Sequence, residues 1–179
     1  MAFGWGAALL AFLTVQRLAE LWWAKRNEAR LLAAGGIEYG RSHLWLIIAF
    51  HSAWLAGLWL LGYDHPVDMV FFGLFVALQM LRFWVLWTLG RRWTIRIIAL
   101  PGERLVAQGP YRLLRHPNYA VVSGEIAVVP LALGLPLYAL ICTILNAVVL
   151  AVRIPAENAA LAASPKQGPP EAPLRPPVG

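Results

Sequence analysis

The sequence predicts an all-α integral membrane protein: five transmembrane helices, a long polar loop between the third and fourth, and a proline-rich tail. Three observations carry this reading. Of the 179 residues, 60% are hydrophobic and only 13% are charged, whereas a soluble domain carries about 25% charged residues. Apolar runs close to the ~20 residues that cross a bilayer recur five times along the chain. Lysine and arginine crowd the segments after the first, third and fifth runs and are missing from the turns after the second and fourth. That alternation is the positive-inside pattern, with the N-terminus outside and the C-terminus in the cytoplasm. It makes the net charge of +6 a record of topology and not the footprint of a nucleic-acid partner.

The first span, Phe3–Trp23, has no basic leader and carries Arg17 and Glu20 near its end, so it reads as a retained helix and not a cleaved signal. Arg17 and Glu20 lie one helical turn apart and can pair. The helix should continue through Lys25, Arg26, Asn27, Glu28 and Arg30 and break at Gly35-Gly36. Span two, Leu44–Gly62, holds His51; span three, Val67–Leu89, holds Gln79 and Arg82. In the loop Gly90–Asn118, the β-branched run Thr94–Ile98 reads as extended and Pro101-Gly102 as a turn. Spans four (Tyr119–Leu135) and five (Pro136–Val152) are short and read as a tight helical hairpin around Gly134-Leu135-Pro136. They hold Glu125, Asn146 and the lone Cys142, a packed and inert thiol. Residues 164–179 contain six prolines and predict a disordered tail behind a single domain spanning 1–163.

Arg17, Glu20, His51, Gln79, Arg82, Glu125 and Asn146 fall in the cytoplasmic half of their spans, while the outer half with Trp5, Trp59 and Phe71 is nearly all apolar. Ionisable groups within a bilayer are costly unless they face the bundle interior or a wet cavity. The pattern therefore predicts a polar pocket open to the cytoplasm and roofed by hydrocarbon. Plainer readings stand beside it: Arg17 and Arg82 snorkelling to headgroups, and Gln79 and Asn146 as interhelical hydrogen-bond partners. Glu125 needs a cationic partner or a raised pKa. His43 and His65 read as solvated loop histidines. No His/Cys/Asp/Glu cluster has metal-ligand spacing, so no metal is expected.

The loop ends in Gly109-Pro110-Tyr111-Arg112-Leu113-Leu114-Arg115-His116-Pro117-Asn118-Tyr119, a polar run held between two prolines. Pro117 sits where a helix begins, with His116 as its cap. Free amides and the dipole at such a start suit an anionic ligand group. Arg112, and less readily Arg115, could instead meet lipid phosphates.

The pieces Leu105-Val106, Gly109-Pro110-Tyr111 and Arg115-His116-Pro117-Asn118-Tyr119 resemble the cofactor core of the isoprenylcysteine carboxyl methyltransferase family, integral membrane enzymes that use S-adenosyl-L-methionine. Arg153-Ile154-Pro155-Ala156-Glu157 is similar to that family's second signature, an arginine four residues before a glutamate, and Leu89–Thr94 to its entry into the cofactor loop. The resemblance covers roughly residues 78–161, about half of the chain. It implies a cofactor site lined by Glu103, Arg104, Leu105, Val106, Tyr111, Arg115, His116, Pro117, Asn118 and Tyr119 and closed by Glu157. It implies that Arg153 faces the nucleophile, so Arg153 and Glu157 are the catalytic candidates, with His51 and Glu125 as further substrate contacts. Glu103 stands where the family commonly has histidine, Asn158 where a second glutamate follows, and the tail replaces an amphipathic helix.

The implied activity is methyl transfer to an oxygen, carboxylate or phenol/enol, of a lipophilic small molecule at the cytoplasmic face of a bacterial inner membrane. Ile37–His43 resembles the small subgroup that methylates phenolic or pyrone lipids. Phospholipid N-methyltransferases share the scaffold. Outside the transferases, an NADPH-dependent membrane reductase would use the Arg91/Arg92/Arg96 group, and a non-catalytic membrane protein would leave the paired signatures unexplained.

Overall fold

The computed structural model describes residues 4–39, 44–101 and 106–163, and side chains as far as Ala160. His43, Glu103, Arg104, Leu105 and the 164–179 tail lie outside the described residues.

Among the described residues five α-helices form, each where an apolar run predicts one: α1 (Trp5–Ala33), α2 (Leu44–Gly62), α3 (Met69–Leu89), α4 (Pro117–Ala132) and α5 (Pro136–Ala163). Leu44–Gly62, Met69–Arg92 and Pro136–Ala160 are long and apolar enough to cross a membrane. α4 has 16 residues, roughly 24 Å at ~1.5 Å per residue, short of the ~30 Å hydrocarbon layer. α1 is longer, 29 residues, but carries Arg17, Glu20 and its polar C-terminal third within that length.

The end of α1 and the start of α3 each have a local cause. α1 stops in a Schellman turn: Gly35 adopts φ +87, its N–H reaches the Leu32 carbonyl, and the Gly36 N–H reaches Leu31. α3 starts at Asp68, whose carboxylate accepts from the Val70 and Phe71 amides at 2.8 and 3.2 Å. At the same end of the bundle, the Asp68 amide bonds the Ala132 carbonyl and His65 Nδ1 lies 2.7 Å from the Leu133 carbonyl. His65 is thus a clip between the 63–68 turn and the end of α4, not the solvated loop histidine expected from its surroundings.

The core at that end is hydrocarbon: Leu10, Leu13, Trp54, Leu58, Phe75, Ile126, Val129 and Leu133 pack together, with Cys142 buried beside them. Trp45, Leu60, Val70, Trp87, Leu137 and Val148 stay exposed, as lipid-facing side chains do. α5 runs well past the Val152 limit drawn from hydropathy, crossing Pro155 on its exposed side and carrying Arg153 and Glu157 on a rigid helix.

One feature departs from an all-α chain. Ile37–Tyr39 (β1) pairs antiparallel with Ile97–Ala99 (β2), Ile37 opposite Ala99. β2 overlaps the stretch read as extended at Ile97 and Ile98, and pairing satisfies backbone groups that a bare loop would leave open. The sheet ties the end of α1 to the 90–116 loop.

Candidate active site

α4 begins as its residues dictate. His116 occupies the N-cap and Pro117, buried, the first helical position. The His116 side chain makes no capping bond, however. It turns toward α5, where its Nε2 lies 3.1 Å from Asn158 Oδ1, a hydrogen bond donated by the Nε2–H tautomer. Asn158, a departure from the family pattern, is therefore the partner that holds His116.

Arg153 and Glu157 lie four residues apart on one face of α5, and Tyr119 of α4 comes between them. Arg153 is 7% exposed. Its Nε donates to the Tyr119 hydroxyl at 3.3 Å and its Nη2 to the Ile95 carbonyl at 2.5 Å. The Tyr119 hydroxyl in turn donates to Glu157 Oε2. The Tyr119 ring stacks on His116 with centroids 5.3 Å apart. Tyr111 sits in the 3-10 turn Gly109–Arg112; burial, helped by the Glu157 carboxylate, pushes its phenol above the ordinary tyrosine range and keeps it neutral. The turn needs glycine at Gly109, where φ is +55 and a Cβ would stand 2.6 Å from Thr88 Oγ1.

Of the residues the sequence singles out, His116, Tyr119, Arg153 and Glu157 are thus joined, with the Tyr111 phenol close enough to Glu157 to feel its charge. Asn118 is half-buried beside them in sequence, with a buried Oδ1 that has no hydrogen-bond partner among the described residues. Val106 is half-buried and Arg115 exposed. Two cavities lie near the loop and neither is lined by Tyr119, Arg153 or Glu157. One, about 470 Å³, is walled by Arg30, Leu31, Ala34, Leu89, Arg91, Arg92 and Leu100; the other, about 380 Å³, by Trp84, Gly109, Arg112 and Leu113.

Two residues that sequence reasoning missed hold the loop in place. Asn27, fully buried near the end of α1, donates Nδ2 to the Gly90 and Trp93 carbonyls at 3.2 and 2.9 Å. Glu28 accepts the Ile95 and Arg96 amides at 3.1 Å each and meets the Arg96 guanidinium at 3.4 Å. Ile95 is the residue whose carbonyl holds Arg153, so α1 fixes the loop that fixes the arginine. Their signal was available: Glu20, Ala24, Asn27 and Glu28 are all buried and continue, at helical spacing, the stripe begun by Leu10 and Leu13.

The polar residues within the helices make no open pocket among the described residues; they bond to one another. Glu125, fully buried, receives Arg17 Nη2 at 2.6 Å, Arg82 Nη1 at 3.0 Å and Gln79 Nε2 at 3.2 Å. Arg82 also binds Glu20 through Nε at 2.6 Å and through Nη2. Gln16 bridges Gln79 and Glu20, and Arg17 lies 3.6 Å from Glu20. Arg82, at 2% exposed, does not snorkel. Asn146 donates to Ser123 at 2.9 Å, joining α5 to α4. His51 has a buried Nδ1 without a hydrogen-bond partner among the described residues, and its ring meets Phe50 edge-on. No hydrogen bond or ion pair among the described residues links His51 or Glu125 to Arg153 or Glu157.

Comparison with known proteins shows the family. The Isoprenylcysteine carboxyl methyltransferase (ICMT) family profile matches residues 70–163, from α3 to the end of α5. The uncharacterized protein YpbQ of Bacillus subtilis (strain 168) is 37% identical over 166 residues, covering 86% of this chain and 94% of its own length. An uncharacterized protein of Haemophilus influenzae is 30% identical over 148 residues, covering 76% of this chain and 83% of its own. No solved structure gives a significant match. The matched region contains both signatures and the α4–α5 pair that brings them together, and the chain belongs to the isoprenylcysteine carboxyl methyltransferase family of membrane methyltransferases.

Proposed function

We propose that the chain is an S-adenosyl-L-methionine-dependent O-methyltransferase acting on a carboxylate, phenol or enol oxygen of a lipophilic small molecule. The observation that carries the proposal is the Arg153–Tyr119–Glu157 group, in which a buried guanidinium and a carboxylate share one phenol. The five helices serve as five spans of a bacterial inner membrane, N-terminus outside. The domain covers residues 1–163, and the 164–179 tail takes no part in the chemistry. The positive-inside charge pattern supports this orientation and puts the site on the cytoplasmic face, where a soluble cofactor is at hand.

The side chains suit that cofactor. Glu157 beside Tyr111 and Tyr119 suits a sulfonium. The unpartnered Asn118 Oδ1 suits an amino or hydroxyl donor, and His116 with the first amides of α4 suits a carboxylate. The family resemblance adds Glu103, Arg104, Leu105, Val106, Arg115 and Pro117 to the wall. Bound there, S-adenosylmethionine supplies an electrophilic methyl group on sulfur.

The protein's own work is alignment and charge placement. Ile95 and Tyr119 hold Arg153 through two of its five donors, leaving its charge to meet an anionic oxygen. A phenol acceptor begins with a pKa of about 10, and a guanidinium beside it favours the reactive phenolate. A carboxylate acceptor is already ionised and is only positioned. An amine acceptor gains nothing from Arg153, which favours oxygen over nitrogen.

Purified protein in detergent is expected to gain thermal stability with S-adenosylmethionine or its demethylated product and none with NADPH. His116→Ala and Glu157→Ala should lose that gain, while Arg26→Ala, on the exposed face of α1, should keep it. No shift with either form of the methyl donor sinks the proposal. Mass spectrometry of membrane lipids incubated with a methyl-labelled donor then identifies the acceptor.

A further inference from the structure

Four buried side-chain atoms gather where α1 faces α2 and make no hydrogen bond among the described residues: Gln16 Oε1, Arg17 Nε, His51 Nδ1 and Trp54 Nε1. The helices around them, α1 to α4, are described from end to end. The Arg17 guanidinium stands 6.0 Å from the centre of the Trp54 ring, and His51 lies one helical turn before Trp54 on α2. His51 is near enough to Arg17, Arg82 and Glu20 to feel their charges. Gln16 and Arg17 meet different oxygens of one carboxylate, Glu20, at 3.1 and 3.6 Å.

A second tryptophan of the same helix shows the contrast. Trp59 donates its indole N–H directly to Thr14 Oγ1 at 3.0 Å. The two helices touch toward that end, where a Cβ on Gly6 would stand 2.8 Å from the Gly62 carbonyl oxygen. Trp54 is only 2% exposed, yet its N–H has no such acceptor. From Trp54 back to Leu44, α2 has no other buried residue, so it packs less closely toward its start. A buried indole N–H ordinarily finds a partner, and polar atoms sealed from water without one are rare.

The chemistry of the four atoms selects what joins them. Arg17 Nε and Trp54 Nε1 only donate, Gln16 Oε1 only accepts, and His51 Nδ1 does either according to its tautomer. The Gln16 amide is oriented by its neighbours, because its Nε2 serves Gln79 Oε1 while Gln79 Nε2 serves Glu125. An ether or carbonyl oxygen would answer the donors and leave Gln16 open. An ion would unbalance the two cations and two anions of Arg17, Arg82, Glu20 and Glu125. An O–H group both accepts and donates and brings no charge.

We infer that the α1–α2 seam is a binding site for one neutral O–H group, which accepts from Arg17 Nε and Trp54 Nε1 and donates to His51 Nδ1 or Gln16 Oε1. Internal water and the hydroxyl end of an amphiphile share this chemistry. The site requires no methyl transfer, so a failed methyl-donor assay leaves it standing.

The test uses the full chain, delipidated in neutral detergent. Where water fills the seam, a hydroxyl-radical pulse read by mass spectrometry should oxidise Trp54 despite its burial. Where an amphiphile fills it, Trp54 stays intact and dodecanol raises the melting temperature, while its methyl ether, which cannot donate, does not. No oxidation of Trp54 together with no effect of dodecanol overturns the site, and so does equal stabilisation by alcohol and ether. His51→Phe should lower the melting temperature by about 2–4 °C, the loss of one hydrogen bond in a chain of this size. His51→Asn, which keeps a polar atom near the Nδ1 position, should recover most of that loss. A His51→Phe protein as stable as the parent, or more stable, shows a dry seam and overturns the site. If that variant does not fold, the radical and alcohol measurements on the unaltered chain decide.

Discussion

Glu125 poses the sharpest test of how this bundle is held. Its carboxylate is fully buried and accepts from Arg17, Arg82 and Gln79, and with Glu20 the group contains two cations and two anions. Glu125→Gln keeps the shape but leaves two guanidiniums facing one carboxylate, a net positive charge within the bundle. Removing one partner of a buried pair costs about 3–5 kcal/mol in soluble proteins. Interhelical polar bonds in membranes run weaker, about 0.6–2 kcal/mol each. With three bonds to Glu125 affected and one still open to the amide oxygen, roughly 3 kcal/mol is expected. At ~2–4 °C per kcal/mol for a chain of this size, the melting temperature in detergent should fall by about 6–12 °C.

A second variant separates charge from shape. Arg82→Gln/Glu125→Gln removes one charge of each sign and should be less destabilised than the sum of the single variants, with a coupling of about 1–3 kcal/mol. A Glu125→Gln protein that melts within about 1 °C of the parent, a shift worth less than ~0.5 kcal/mol, refutes the structural reading. If that protein also loses methyl transfer, Glu125 serves the substrate, the role the sequence suggests for it. Loss of both stability and turnover, with turnover recovering in the neutral double variant, assigns the residue to the frame.

Three further outcomes follow from the site. Arg153→Lys cannot reach Tyr119 and Ile95 with one planar fork, so kcat should fall about 10–100-fold while the methyl-donor Kd stays within a few-fold, measured by single-turnover and titration. Glu28→Ala strips two loop amides of their acceptor, a loss of about 1–3 kcal/mol; limited proteolysis should cut faster between Gly90 and Pro101, and a fall in donor affinity with no new cleavage argues against loop anchoring. The Tyr111 phenol is raised in the fold, so its share of stability is complete below the unfolded pKa of ~10 and is lost as pH rises beyond it. Tyr111→Phe should therefore leave the pH–rate profile unchanged in shape up to pH ~10, and loss in that variant of a basic limb present in the parent would show Tyr111 to be a titrating group.

Much of the fold is legible because hydrocarbon and punctuation agree. The apolar runs place all five helices, Gly35-Gly36 places the end of α1, and Pro117 places the start of α4. The Arg153–Glu157 spacing is legible too, since four residues on a helix is one face. What cannot be read is which face meets which. Glu125 announces that it needs a cation, but nothing in its own span says that both Arg17 and Arg82, from two other helices, converge on it. The β1–β2 pair joins residues about 60 apart, and three-residue strands carry too few side chains to specify a register. His116 reads correctly as a cap position, yet the partner of its side chain comes from α5, a distance that local rules do not span.

These failures share a cause that bears on how the site is built. The family profile begins at Val70, which makes α1 look like an accessory helix. Its buried stripe says otherwise. Arg17 and Glu20 extend the Arg82–Glu125 pair of α3 and α4 onto α1, Glu20 accepting from Arg82 and Arg17 donating to Glu125. Two turns further along the same stripe, Asn27 and Glu28 take the carbonyls and amides of residues 90–96, and Ile95 passes that constraint to Arg153. One helix face thus serves first as counter-charge and then as loop anchor. The 29-residue α1 does both because helical spacing keeps Glu20, Ala24, Asn27 and Glu28 in line along one face. Arg153 is thus tied, through Ile95 and Glu28, to a helix that begins at the other end of the bundle.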